Sequence, residues 1–240
     1  MGGSDGTCEL AVGNKSWSRA DRRKRSGSSV SARQHILRGF IKRLAAGAVL
    51  AAVSVAVALA QSATPRDVIE GLHAGLLEVM QNAADHDYGG RYRQLEPVLQ
   101  RSYDFPFMTR IAVGPAWGDL DEAQQGQLVD LFAEMSIANY AARFDDYGGE
   151  RFEFLGQEPA PRDTVLIRTR IVPPREEPVE LNYVLRESGD GWRIIDVLLE
   201  SKFSELARQR SEFAAVLQGG GASDLVATLE RKIAELAADG

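Results

Sequence analysis

The sequence predicts an α+β domain in which a curved four-stranded antiparallel sheet is covered by helices. Three observations carry that expectation. Apolar residues recur at helical spacing from about Val68 to Phe144, the period switches to alternation at Arg151, and helical spacing returns after about Phe203. Helices in one block and strands in another are the pattern of a segregated α+β architecture, not of alternating βαβ units.

Thr64-Pro65 starts the first helix, a capping hydroxyl followed by a proline whose missing N–H costs nothing at that position. Val68, Leu72, Leu76, Val79 and Ala83 then share one face until Tyr88-Gly89-Gly90. A short second helix carries Leu95, Val98 and Leu99. A third piece begins at Pro106 with Phe107, Met108 and Ile111, and Gly114-Pro115 breaks it ahead of Trp117. The longest helix is expected over about 122–145, with Leu128, Leu131, Phe132, Met135, Ala138, Tyr140, Ala142 and Phe144 as its apolar positions and Gly148-Gly149 as its stop.

Strands are expected at 151–157, 164–172, 179–187 and 192–199, divided by the turn chemistry of Pro159/Pro161, Pro173-Pro174 and Ser188-Gly189-Asp190-Gly191. Such short connections make an antiparallel meander, one face apolar and the other carrying Arg168, Arg170, Glu180, Asn182 and Arg186. A helix over 203–217, a glycine-rich linker at 219–223 and a terminal helix with Leu225, Val226, Leu229, Ile233 and Leu236 complete the chain.

Charge divides the 240 residues into two parts. Residues 1–60 hold ten of the 28 Lys/Arg and three of the 34 Asp/Glu, leaving 18 basic and 31 acidic groups, net −13, for residues 61–240. The first part is basic through Arg43 and then apolar from Leu44 to Ala60, ending Ala58-Leu59-Ala60. A basic start, a short apolar stretch and an A-x-A close predict a secretory signal peptide cleaved after Ala60. As a helix that stretch spans about 25 Å, short of the roughly 30 Å of hydrocarbon a permanent anchor must cross. Cys8, the one cysteine, lies in the segment expected to be removed, so residues 61–240 are expected to form a single exported domain without disulfides. Its acidic balance disfavours nucleic acid and anionic bilayers as partners, since both attract basic patches.

Catalytic signatures are sparse. Asp85-His86-Asp87 cannot converge on one metal ion from a helix, where neighbours point about 100° apart. Asp145-Asp146 and Glu176-Glu177 flank predicted turns and read as solvated charge, and no nucleophile elbow, phosphate loop or dinucleotide fingerprint is present. No metal or cofactor is expected. Aromatic and methionine density stands out instead: Tyr103, Phe105, Phe107, Met108, Trp117, Phe132, Met135, Tyr140, Phe144, Tyr147, Phe152 and Phe154. Most of these belong in a core, but helices over a curved sheet can leave an apolar gap able to hold a greasy ligand.

The export signal, Tyr103-Asp104-Phe105 near Met108, Gly114-Pro115-Ala116-Trp117, the long helix containing Asn139-Tyr140-Ala141, and Trp192-Arg193-Ile194-Ile195-Asp196-Val197 together resemble the MlaC family of periplasmic lipid-binding proteins. Gly89-Gly90-Arg91-Tyr92, Phe144-Asp145-Asp146-Tyr147 and the run from Leu206 to Phe213 look closer to its hopanoid-associated HpnM subgroup. The phospholipid carriers usually follow the last strand with a Gly-Val-Ser turn and a Tyr-Arg pair. Here Glu200–Glu205 and Arg208-Gln209-Arg210 stand in those places.

The resemblance implies a cone like that of nuclear transport factor 2, extended by helices, with a phospholipid or hopanoid held between sheet and helices. It implies as partners an inner-membrane ABC-type lipid transporter and an outer-membrane or RND-type complex. On that reading the sheet residues Val184, Ile195, Val197 and Leu199 and the helical residues Phe107, Met108, Phe132, Met135 and Phe144 line the cavity. Two other readings are an enzyme on the same cone using Asp104 or Asp196, and an envelope adaptor that docks partners through its terminal helix.

Overall fold

The computed structural model describes residues 63–240. The expected signal peptide and its cleavage site lie outside these residues. Among the described residues no helix is long and apolar enough to cross a membrane.

Helix α1 (Pro65–Gln81) begins in a reciprocal capping box, the Thr64 hydroxyl accepting from the Asp67 N–H while the Asp67 carboxylate accepts from the Thr64 N–H at 2.8 Å. It buries Ile69, Leu72, His73, Leu76, Val79 and Met80. After a short 3₁₀ turn, Asp87 caps α2 (Tyr88–Ser102) and Asp104 caps α3 (Phe105–Val113). Gly114 then takes φ 68°, a left-handed conformation that suits glycine, and a second 3₁₀ turn leads to α4 (Glu122–Arg143). A capping box of Asp121 and Gln124 starts α4, which ends two residues before the expected boundary.

The sheet has five strands in the order β1-β2-β3-β4-β5, every neighbouring pair antiparallel. Strand β1 (Arg151–Ala160) runs three residues past its predicted end, through Pro159. It tolerates the proline because it is an edge strand, with one side free of ladder bonds. Strands β2 (Thr164–Val172), β3 (Val179–Ser188) and β4 (Gly191–Leu199) follow the expected meander.

The fifth strand, β5 (Phe203–Ser204), was expected to be the start of a helix. Glu200 and Ser201 both take positive φ, 50° and 59°, and this tight reversal pairs Phe203 with Leu199 and Ser204 with Leu198. Ser204 then caps α5 (Glu205–Asp239). The expected linker shrinks to a kink: only Gly221, at φ 74° and ψ −160°, leaves helical geometry inside α5.

The helices cover one sheet face. Tyr183 and Leu185 of β3 and Ile194 of β4 are fully buried beneath Leu72, Leu76, Leu95 and Leu99, with Val197 nearly so. Asn182 departs from the expected solvent face, being 2% exposed. Its amide accepts from the Thr169 N–H at 3.0 Å and donates to the Ser201 hydroxyl at 2.7 Å, bridging a gap in the β2–β3 ladder and anchoring the turn into β5. Arg91, also buried, donates to the carbonyls of Ala141, His86 and Gly240 and so ties α2, α4 and the end of α5 together.

Candidate functional site

The junction of α2 and α3 is fastened to the sheet: the Asp104 N–H donates to the Ile194 carbonyl at 2.9 Å, and Tyr103 bridges to Ile194. That places Tyr103 and Met108 over β3 and β4. Helix α4 passes alongside, and α5 starts where β4 and β5 end. Between them lies a cavity of about 200 Å³.

Its floor is Leu181 of β3 with Val197 and Leu199 of β4. Helix α4 supplies Ser136, Asn139, Tyr140 and Arg143, with Phe144 at its end, a stripe at the three- and four-residue spacing of one helical face. The first turns of α5 close the wall with Glu205, Arg208 and Gln209.

The interior is apolar in effect as well as composition. Ser136 donates to the Phe132 carbonyl at 2.7 Å and Asn139 to the Met135 carbonyl at 2.9 Å, so each satisfies itself on its own helix. Tyr103 and Tyr140 share a hydroxyl–hydroxyl hydrogen bond of 2.5 Å. Burial pushes the Tyr103 phenol well above its usual range and raises Tyr140 too, so both stay protonated and uncharged at any physiological pH. The Tyr140 ring stacks on Phe144 with centroids 5.5 Å apart. Charge is confined to Arg143, Glu205 and Arg208, where Arg208 pairs with Glu205 at 2.8 Å and also with Glu212.

Of the residues expected to line a cavity, Met108, Phe144, Val197 and Leu199 do so. The other five lie elsewhere. Phe132 is fully buried, edge-on to Phe105 and Phe213, and Met135 is buried in the same core. Phe107 turns its ring to the guanidinium of Arg186, 4.4 Å from the centroid. Val184 alternates with Tyr183 and Leu185 and so falls on the opposite side of β3 from Leu181. Ile195 is the extra residue of a β-bulge, since Val184 pairs with Asp196 and Leu185 with Ile194; that bulge shifts the parity of β4 and brings Val197, not Asp196, to the cavity.

The two carboxylates proposed for an enzyme stand outside the lining. Asp104 caps α3 and pairs with Arg186 at 3.2 Å. Asp196 accepts from the Ser204 hydroxyl and from the N–H groups of Leu206 and Val197, holding β4 to the start of α5. Burial raises the Asp196 pKa, while those three donors pull it the other way.

Residue reasoning missed Ser136, Asn139 and Arg143 as wall residues. Their signal was present: polar side chains on the stripe of α4 that should have been aliphatic had it met a filled core. Glu205, Arg208 and Gln209 had no such signal, because only the β5 reversal brings them back over the sheet. A larger groove, about 430 Å³, follows the kink of α5 past Ala215, Gly220 and Asp224, but it is an open surface feature remote from this cavity.

The family model described as MlaC protein matches residues 71–231. Among solved structures, a phospholipid-binding protein from Ralstonia solanacearum, in complex with a phospholipid, superposes with a TM-score of 0.64 at 23% sequence identity, covering 73% of this chain and 99% of that one. At that identity the likeness is one of fold. No curated protein matches the chain.

Proposed function

The chain belongs to the MlaC family, and from that premise we propose that it is a non-enzymatic lipid carrier of the periplasm, holding hydrocarbon in the cavity between the sheet and α3, α4 and α5. The observation that carries this reading is the hollow itself. A folded interior is normally packed to the density of an organic crystal, and an unfilled space of this size forfeits contacts on every wall. A cavity of about 200 Å³ accommodates about seven water-sized or methylene-sized groups at roughly 30 Å³ each, part of one acyl chain. At about 0.8 kcal/mol per methylene, the enclosed segment brings about 6 kcal/mol of apolar transfer energy, comparable to what that segment leaves in the bilayer. A lipid with two chains needs the walls to part, and α3 is the wall suited to move: it is short and ends at the left-handed Gly114.

The polar end formed by Arg143, Arg208 and Glu205 suits a headgroup, and the net −13 of residues 61–240 favours release from anionic membranes. Delivery would then depend on membrane-embedded partners, an ABC-type transporter on one side and an outer-membrane or RND-type complex on the other. The cargo is a phospholipid or a hopanoid. No bond-making step enters this reading, and nothing in the surroundings of Asp104 or Asp196 favours one.

The test is solvent extraction of the protein isolated from its host envelope, followed by mass spectrometry. About one lipid per chain is expected. Ser136→Trp, which fills the cavity from α4, should lose that lipid while keeping its circular dichroism. Protein that carries no lipid, or a Ser136→Trp variant that carries as much as wild type, overturns the reading.

A further inference from the structure

Helix α3 turns Met108 into the cavity and carries a cluster of positive charge outside it. The Arg186 guanidinium lies 4.4 Å from the centroid of the Phe107 ring, and that of Arg110 lies 5.5 Å from the same ring. Arg193 stands directly opposite Arg186 in the β3–β4 ladder and donates to the Arg101 carbonyl near the end of α2. Where α3 ends, the Nε of Arg210 would stand 3.7 Å from a Cβ placed on Gly114. The carboxylate that answers this charge is Asp104, paired with Arg186 at 3.2 Å. Arg110, Arg193 and Arg210 form no ion pair with a carboxylate among the described residues.

Like charges directly opposite on paired strands repel, and two guanidiniums gathered on one ring repel again. The far edge of the sheet shows the self-sufficient alternative, where Arg151 and Arg170 share Glu153. At α3 the fold leaves the charge unanswered, although residues 61–240 hold 31 acids to 18 bases. A carboxylate arriving from outside relieves the repulsion, and the planar fork of arginine grips it through two parallel bonds. A bilayer and a polypeptide both offer anions, but they differ in breadth. Charges act over about 8 Å at physiological salt. A broad anionic bilayer also meets the net −13 around the cluster, whereas an extended chain meets the cluster alone. We propose that this outer side of α3, with Arg110, Arg186 and Arg193, docks an acidic segment of a partner protein. A segment seated there bears on the same helix that walls the cavity.

The experiment is the binding of a fluorescein-labelled ten-glutamate peptide to the full mature protein, read by anisotropy at rising salt. The peptide should bind, and added salt should weaken it. Arg110→Glu combined with Arg193→Glu should weaken it about tenfold, whereas Arg66→Glu combined with Arg151→Glu, the same change in net charge at the β1 edge, should cost less than about threefold. Arg110→Gln with Arg193→Gln gives a smaller loss in the same direction, about threefold, and serves if the reversed pair fails to fold. Vesicles of phosphatidylcholine and phosphatidylglycerol at three to one should not sediment the protein. A wild-type protein that ignores the peptide, equal losses from the two double reversals, or capture by the vesicles in preference to the peptide overturns the proposal. Co-extracted lipid should be unchanged in every variant, so a failure here leaves the carrier reading standing, and protein that extracts without lipid removes that reading and not this surface.

Discussion

Over Tyr183 the helical cover is solid, and over Leu181, two residues along the same face of β3, it is hollow. On the solid side the Tyr183 hydroxyl meets Nε2 of His73 at 3.1 Å, and the imidazole stacks on Phe152 with centroids 4.0 Å apart. Helix α1 lies so close to α2 that a Cβ added at Gly75 would stand 2.8 Å from Val98. On the hollow side α4 presents serine, asparagine, tyrosine and arginine where α1 presents leucine, isoleucine and valine. The difference teaches that a cavity in this fold is built by chemistry on a helix stripe. Polar side chains bonded to their own backbone neither reach across to the sheet nor seek water, so the walls stay apart.

Truncation should separate the two regions most. Leu72→Ala, in the solid region, is expected to cost about 3 kcal/mol in urea unfolding, whereas Leu199→Ala, whose side chain already faces empty space, should cost under about 1 kcal/mol. Equal costs would break the comparison.

In the solid region acid should act through His73. Burial lowers the His73 pKa to about 4, from an ordinary 6.5. The unfolded chain therefore takes up a proton at this site below pH 6.5 that the folded one refuses until about pH 4. Stability should be complete above pH 6.5 and fall by about 3 kcal/mol as pH drops through that window. His73→Phe should flatten this part of the profile, and a wild-type profile already flat between those limits would refute the assignment.

Overpacking sharpens the contrast further. Gly75→Leu should destabilise by about 2 kcal/mol, because Val98 leaves no room. Ser136→Trp should shift the melting free energy by less than about 1 kcal/mol, its bulk entering the hollow. The smallest effect belongs to the exposed Arg66–Glu70 pair on α1, where Glu70→Gln should change stability by about 0.3 kcal/mol.

Much of this architecture was legible in the chain. Capping at Thr64 and the helix start at Asp121, the period change at Arg151 and the glycines before β4 mark element after element, because each acts within a few residues of itself. Met108, Phe144, Val197 and Leu199 were legible as cavity residues through their apolarity. Ile195 was not, because the bulge there shifts the parity of β4 and no side-chain pattern announces it; Val184 falls away by alternation alone, since it shares its parity on β3 with Glu180, Asn182 and Arg186. Phe132 and Met135 are as apolar as Phe144, and only their depth in the helix cluster separates core from lining.

The chain alone determined the α+β class, the meander, the rough extent of the first four helices, and a composition without recognisable catalytic groups. These follow from local propensity and from period, which a linear pattern contains. Tertiary structure decided the two-residue fifth strand, the seating of Arg208 and Gln209 against β4, the burial of His73 and Asn182, and the site of the hollow. Each of those depends on which distant surface a side chain meets, and whether two walls touch is a property of the pair.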